Sequence, residues 1–304
     1  MPSTVMSGGS GFDIVGIGAA TLDDLWLVKE FQAAEGVQQA LDRARMGGGP
    51  VATALAVLAT LGQRAALVDV CGDDAAGEQI LAELEQLGVS TQFVQRVASA
   101  RSTQAVVQVR AGDGARQIVF LPSSAGEPKL TDEIKSLISS AKVLHLNGRY
   151  ESMAREAVRV AQGAGVTISF DGGAGRYRDS IRDLVDASHL RIVSREFAAR
   201  WSGAGDIESM IDSLGASPAR LMVITDGVHG SHVCCPGGPM FHQPAHTATP
   251  LVDTTGCGDV YHGAFLHGWL SGWNLPRCAE YASRLAAKNA EGLGGRHVCL
   301  KSRR

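Results

Sequence analysis

Asp253-Thr254-Thr255-Gly256-Cys257-Gly258-Asp259 runs directly into residues 260–270, a stretch apolar around most of its circumference. That run predicts a buried helix from Gly258 to about Leu270, with Gly256 and Gly258 in the turn that opens it. The first turn of a helix has N–H groups without intrahelical partners and carries a partial positive charge. Glycines let an anion approach that backbone closely. Asp259 falls in the first turn, beside the place such an anion would take, where a carboxylate can accept the proton of an attacking hydroxyl. Fixed N–H donors suit the spread charge of a phosphoryl group in transfer. Alone, Gly-x-Gly-Asp is a weak signal, because an acid at a helix start is favourable without any chemistry.

Outward from this stretch, short β-branched runs alternate with longer amphipathic ones. Strands are expected at residues 12–18, 65–70, 142–147, 166–171, 190–193 and 221–225, and helices at 50–61, 75–87, 151–162, 207–214, 258–270 and 276–291. Several of the strand runs are almost continuously apolar, as strands buried on both faces are. The alternation predicts parallel βαβ units and a doubly wound α/β sheet flanked by helices, with ligands outside the carboxyl ends of the strands. Residues 25–31 read as extended and follow the first strand. Residues 104–110 and 116–121 alternate around Ala111-Gly112-Asp113-Gly114-Ala115 and read as a hairpin. These pieces suggest a small β-sheet lid, inserted at about residues 24–46 and 102–122 of one domain spanning 12–304. Residues 1–11 read as a flexible N-terminus.

Composition sets limits. The 304-residue chain is 45% hydrophobic and 19% charged with a net charge of −3. It can bury a substantial core, and it lacks the basic face that nucleic-acid binding needs. The basic Lys301-Ser302-Arg303-Arg304 reads as a solvated tail. No CxxC pair occurs among the six cysteines, so zinc spacing is missing, and reduced thiols in the cytoplasm are the simpler reading. No signal peptide or membrane-spanning run is visible.

Residues 253–259 resemble the signature of the pfkB/ribokinase family of carbohydrate kinases, usually Asp-Thr-x-Gly-Ala-Gly-Asp, with Cys257 in the alanine position. The resemblance covers residues 12 to about 297 and implies a ribokinase-like fold and an ATP- and Mg2+-dependent sugar kinase. It assigns Gly256, Cys257 and Gly258 to the anion hole and Asp259 to the catalytic base. It places Asp23, five residues after Gly18, on the sugar hydroxyls, with Asp24 adjacent. Gly47-Gly48-Gly49-Pro50 resembles the family's substrate loop, with Thr53 where an asparagine is frequent. Thr225-Asp226-Gly227-Val228-His229-Gly230 resembles its nucleotide loop, giving Thr225, Gly227 and Gly230, with Ala286 and Asn289 near the adenine. Ser194-Arg195-Glu196 stands where many members have Asn-x-x-Glu for the metal–phosphate network, so Glu196 is the substitute there. Gly294-Gly295-Arg296 and residues 47–62 and 252–264 are most similar to the sulfofructose kinase and ketohexokinase branch, which implies a ketose or an anionic ketose derivative as acceptor.

In that setting Arg149 reads either as a fork for an anionic group at the far end of the sugar or as a surface salt bridge. Cys257 reads either as a thiol activated by the helix N-terminus, open to iodoacetamide and shielded by ATP, or as a small residue filling an alanine site. His262 either orients Asp259 or is a core histidine, and Trp26 either stacks on sugar or packs. An exposed lid edge makes a homodimer plausible. A nucleoside kinase on the same fold and a catalytically silent sugar-binding protein remain as alternatives. A Rossmann dehydrogenase is disfavoured because no GxGxxG joins the first strand to a helix.

Overall fold

The computed structural model describes residues 11–301. Of the stretches read as a flexible N-terminus and a basic tail, all but Gly11 and Lys301 lie outside the described residues. The strands are β1 (Ile14–Ile17), β2 (Thr21–Val28), β3 (Asp42–Gly48), β4 (Ala65–Gly72), β5 (Val89–Val97), β6 (Gln104–Arg110), β7 (Arg116–Leu121), β8 (Val143–Leu146), β9 (Thr167–Gly172), β10 (Leu190–Ser194), β11 (Leu221–Thr225), β12 (Ser231–Cys234) and β13 (Phe241–Gln243). The helices are α1 (Pro50–Thr60), α2 (Ala75–Gln86), α3 (Asp132–Ser140), α4 (Glu151–Gly163), α5 (Arg182–Asp186), α6 (Arg195–Ser202), α7 (Ile207–Leu214), α8 (Cys257–Leu270), α9 (Leu275–Asn289) and α10 (His297–Lys301).

Nine strands form the large sheet in the order β13-β12-β11-β10-β9-β8-β1-β4-β5. From β11 to β5 all pairings are parallel, while β12 and β13 are added antiparallel at one edge. Strand alternation sorts the core into two layers. Val15 and Ile17 point into the side covered by α3 to α7, and Ile14 into the side covered by α1, α2, α8, α9 and α10. Helix α8 is buried on nearly all sides, which explains its lack of a polar face. Val260, Ala264, Phe265 and Leu266 are each 0% exposed. Burying a side chain of the Leu or Phe class contributes about 1.5–3 kcal/mol. Gly263 lets α8 press against α1, since a β-carbon there would stand 2.6 Å from Ala54 O.

The second sheet has four strands in the order β3-β2-β6-β7, and it is the expected lid. Its inner face packs Leu25, Met46, Ala105, Val107 and Val109 with Leu293 of the main body. Asp24 lies on the opposite face, held by Arg43 through two hydrogen bonds of 2.8 Å. Arg43 also covers the Trp26 ring at 4.6 Å, so Trp26 packs on that outer face. The extended run expected at 25–31 begins earlier, at Thr21, and ends at Val28.

Candidate active site

Chain order doubles back around β1, whose neighbours are β8 and β4, and the loops at this reversal open at the carboxyl ends of the strands. Side by side along that edge come Thr225 at the end of β11, Glu196 after β10, Asp171 and Arg176 at and after β9, Arg149 after β8, and Asp23 beyond β1. Of these, Thr225, Glu196, Arg149 and Asp23 are candidates read from the sequence, and Asp171 and Arg176 are additions from the structure.

Helix α8 begins at Cys257, one residue earlier than expected, with Gly256 as its N-cap at φ 70°. The two glycines of the turn serve different needs. A β-carbon at Gly256 would lie 2.6 Å from Gly295 Cα and O, so Gly256 is required by the fold. A β-carbon at Gly258 would meet nothing within 4 Å. The space over Gly258 is open, and an anion of phosphate size can come up to the helix N-terminus there.

The turn is pinned from beneath and from above. Fully buried Asp253 accepts from Thr255 N at 2.7 Å, Thr255 Oγ1 at 2.6 Å and Gly294 N at 2.8 Å. From the lid, Gly114 O accepts from Thr254 N and Thr254 Oγ1, and Arg116 donates to Thr254 O. Asn289 also supports this turn. The sequence puts it beside the adenine, but the structure buries it wholly and spends its amide inside, on Thr255 O at 3.1 Å, Gly294 O at 3.4 Å and Val298 N at 3.1 Å. Ala286, one turn earlier on α9, is half-buried.

Asp259 sits in the first turn of α8. Its carboxyl is raised to about 6, chiefly by burial, with the nearby Asp171 and Asp23 carboxylates adding to the rise and Arg176 and Arg116 opposing it. It therefore titrates just below neutrality, where a carboxylate is a competent proton acceptor. Arg176, missed by the sequence reading, bridges two acids: Nη1 is 3.3 Å from Asp171 Oδ2 and Nη2 is 3.9 Å from Asp259 Oδ1. Asp171 Oδ1 is 3.4 Å from His262 Nε2. His262 thus turns to Asp171 rather than to Asp259. Burial pushes the His145 imidazole down to about 4 and lowers His262, so both rings are neutral at pH 7. Burial opposes the charge on Asp171, but His262, protonated in the acid range where Asp171 titrates, together with Arg176 and His145, holds its carboxyl below the ordinary range. His145, Asp171 and His262 each bring a ligand-type atom within 4.8 Å of the others, with Arg176 already supplying positive charge to the carboxylate.

Cys257 departs from the activated-thiol reading. The helix N-terminus favours a thiolate, but burial dominates and pushes the thiol up to about 12. At pH 7 it is protonated and behaves as the small residue that fills an alanine position.

Among the residues expected to hold the sugar, Asp23 is 9% exposed, accepts from Thr21 Oγ1 at 2.5 Å, and has its carboxyl raised by burial. Gly48 lies directly against it: a β-carbon there would stand 2.0 Å from Asp23 Oδ2. Gly49, at φ 90°, turns the chain from β3 into α1 against Ala19 O. Thr53 is buried and accepts from Arg296 Nε at 3.2 Å. Gly47 N donates to Glu83 Oε2 at 2.8 Å. Arg149 is half-buried over the Tyr150 ring at 5.4 Å, in no ion pair among the described residues.

In the loop expected to hold the nucleotide, Thr225 ends β11 and residues 227–229 form a single helical turn, with Val228 84% exposed. Gly230 at φ 90° is fixed by Gln243 O, which a β-carbon would approach to 2.1 Å. Glu196 opens α6 and accepts from Gly175 N at 3.1 Å, in the same loop that carries Arg176.

Residues 12–303 match the model of the pfkB family carbohydrate kinase. An ATP-dependent ribose-1-phosphate kinase of Halopiger xanaduensis is 30% identical over 286 residues, which cover 93% of each chain. A 5-dehydro-2-deoxygluconokinase of Shouchella clausii is 28% identical over 302 residues, covering 92% of this chain and 90% of its own. Two solved structures share the architecture. Arabidopsis thaliana ribokinase complexed with ribose and ATP has a TM-score of 0.79 at 22% identity, over 96% of this chain and 98% of its own. The adenosine kinase from Sinorhizobium meliloti has a TM-score of 0.83 at 22% identity, over 97% and 99%. Fold, signature turn and family match agree, and the chain belongs to the pfkB family of carbohydrate kinases.

Proposed function

We propose that this kinase transfers the γ-phosphoryl group of ATP to a hydroxyl of a small ketose or anionic ketose derivative, with Asp259 as the base. The observation that carries this reading is the pairing of a half-buried Asp259, raised to about 6, with open space over Gly258 at the N-terminus of α8. Asp23 and the residue 47–49 loop orient the sugar. Asp259 takes the hydroxyl proton as the oxygen attacks, and the N–H groups of residues 256–258 hold the charge on the phosphoryl oxygens. Arg176, beside Asp259, adds a cation at the same place. The nucleotide lies along Thr225, Gly227 and Gly230 and the Ala286 side of α9. Mg2+ bound with the nucleotide would supply charge that neutralises its phosphates. Glu196 would hold it indirectly, through the loop it anchors at Gly175.

An anionic acceptor is supported by Arg149, half-buried at the carboxyl end of β8, and by two relatives named for a sugar phosphate and a gluconate derivative. Six cysteines without a disulfide support a reducing, cytoplasmic setting. The exposed edge of the lid supports a homodimer.

The deciding experiment measures ADP release from magnesium-ATP over ketoses, aldoses, sugar phosphates, sulfofructose and nucleosides, with Asp259→Ala as control. Turnover on one sugar class, reduced about 10²–10⁴-fold in the variant, is the expected result. Turnover on nucleosides alone would transfer the assignment to a nucleoside kinase. Undiminished turnover in Asp259→Ala would remove Asp259 from the role of base.

A further inference from the structure

The sugar loop and the anion hole are built as two ends of one polar strut, and Arg296 is its middle. Arg296 is 0% exposed. Its Nη2 donates to Gly48 O at 2.8 Å, its Nε to Thr53 Oγ1 at 3.2 Å, and its Nη1 to Glu83 Oε1 at 2.9 Å. The other oxygen of Glu83 accepts from Gly47 N at 2.8 Å. The ion pair therefore grips the chain at Gly47 and Gly48 by one N–H and one carbonyl. Gly47 must lack a side chain for this, since its β-carbon would lie 2.2 Å from Arg296 Nη1. Gly48 in turn touches Asp23. In the other direction, the residues just before Arg296 form the floor of the anion hole: Gly294 N donates to Asp253 Oδ2 and Gly295 packs on Gly256.

A buried ion pair is not an obvious source of stability, because desolvating both charges offsets most of their attraction. Its geometry has a clearer consequence. Ordering either end of a stiff polar strut lowers the cost of ordering the other, and such coupling is reciprocal. We propose that Arg296 is a positioning residue that couples sugar binding at Asp23 and residues 47–49 to phosphate binding at residues 256–258. The proposal rests on the kinase reading above.

Amide hydrogen exchange with magnesium-AMP-PNP alone tests it without knowledge of the sugar. In the wild-type chain the analogue slows exchange at residues 253–259 and also, about fivefold or more, at residues 44–53. In Arg296→Lys, where a single ammonium cannot span Gly48, Thr53 and Glu83 as the guanidinium fork does, protection at 253–259 persists and protection at 44–53 is lost. Glu83→Gln, which keeps an acceptor for Gly47 N, gives an intermediate result and serves if the lysine variant does not fold. Melting temperatures of both variants separate this loss from general loosening, which would speed exchange throughout. Transmission that survives in both variants, or is missing in the wild type while 253–259 is protected, overturns the coupling. No protection at 253–259 in the wild type overturns the nucleotide reading itself, and the coupling with it.

Discussion

Arg176 Nη2 lies 3.9 Å from Asp259 Oδ1, near enough to bias the charge on that carboxylate but too far for a hydrogen bond. Burial raises Asp259 to about 6, and Arg176 is the largest opposing influence. A base works ionised, so kcat/KM should fall as pH drops through about 6. Removing the cation makes the ionised form less favourable, so Arg176→Met should move this acid limb upward by about one pH unit. The pH profile of kcat/KM, which reports the free enzyme, measures it. A limb that stays in place in the variant would show that Arg176 does not act on the base.

The two glycines of the turn can be separated by experiment. Gly256 is closed in by Gly295 at φ 70°, whereas Gly258 faces open space. Gly256→Ala should lower the melting temperature. Gly258→Ala should melt like the wild type, yet its methyl group would stand where the phosphoryl oxygens approach, and turnover should fall by about two orders of magnitude, comparable to losing an oxyanion donor. Paired melting curves and ADP-release rates decide. Near-wild-type turnover in Gly258→Ala would mean that the anion lies elsewhere.

Much of the fold was legible because the large sheet is mostly parallel and doubly covered: its parallel strands read as apolar runs, and Leu221–Thr225 and Ile207–Leu214 fall where expected. Strand β3 was hidden. Asp42-Arg43-Ala44-Arg45 faces solvent on the lid and reads as a polar loop. Helices α3 and α6 went unread although Thr131 and Ser194 cap them. In the site, Asp259 and the glycines were legible because their chemistry is local to one helix start. Arg176 and Arg116 were not, because a loop and a lid strand bring them to Asp259 and Thr254 only through the tertiary fold. The Asp171-Gly172-Gly173 run at the end of a buried strand was a local hint. The burial of Asn289 against the signature turn was not legible, because an alanine-rich helix does not announce which of its faces turns inward.

Cys257 should be slow to alkylate. With its thiol pushed up to about 12, the thiolate fraction at pH 7.5 is very small despite the helix N-terminus beside it. Iodoacetamide at pH 7.5 should leave turnover intact over a time in which a free thiol reacts fully, as followed by intact mass and ADP release together. Fast labelling of Cys257 with matching inactivation would restore the activated-thiol reading.

Strand β7 ends the lid sheet, with β6 as its only strand neighbour among the described residues, and all six of its side chains are exposed. Its register against β6 sets Ile118 and Phe120 on the inner face, opposite Val107 and Ala105, and sets Val119 outward, opposite Val106. Val119 is 75% exposed and Phe120 60%. An open strand edge flanked by apolar side chains on both faces is a template for pairing with another chain. A second copy offering the same edge would satisfy the free backbone groups and cover the apolar residues at once. The chain should therefore sediment as a dimer at micromolar concentration, and Val119→Lys should yield monomers. Since Arg116 of the same strand donates to Thr254 O at the anion hole, loosening the edge should also weaken the lid's hold on that turn. The Val119→Lys monomer should accordingly turn over more slowly at saturating ATP. Sedimentation velocity gives the first answer and ADP release the second, and a wild-type monomer at these concentrations would rule out the lid as an assembly surface.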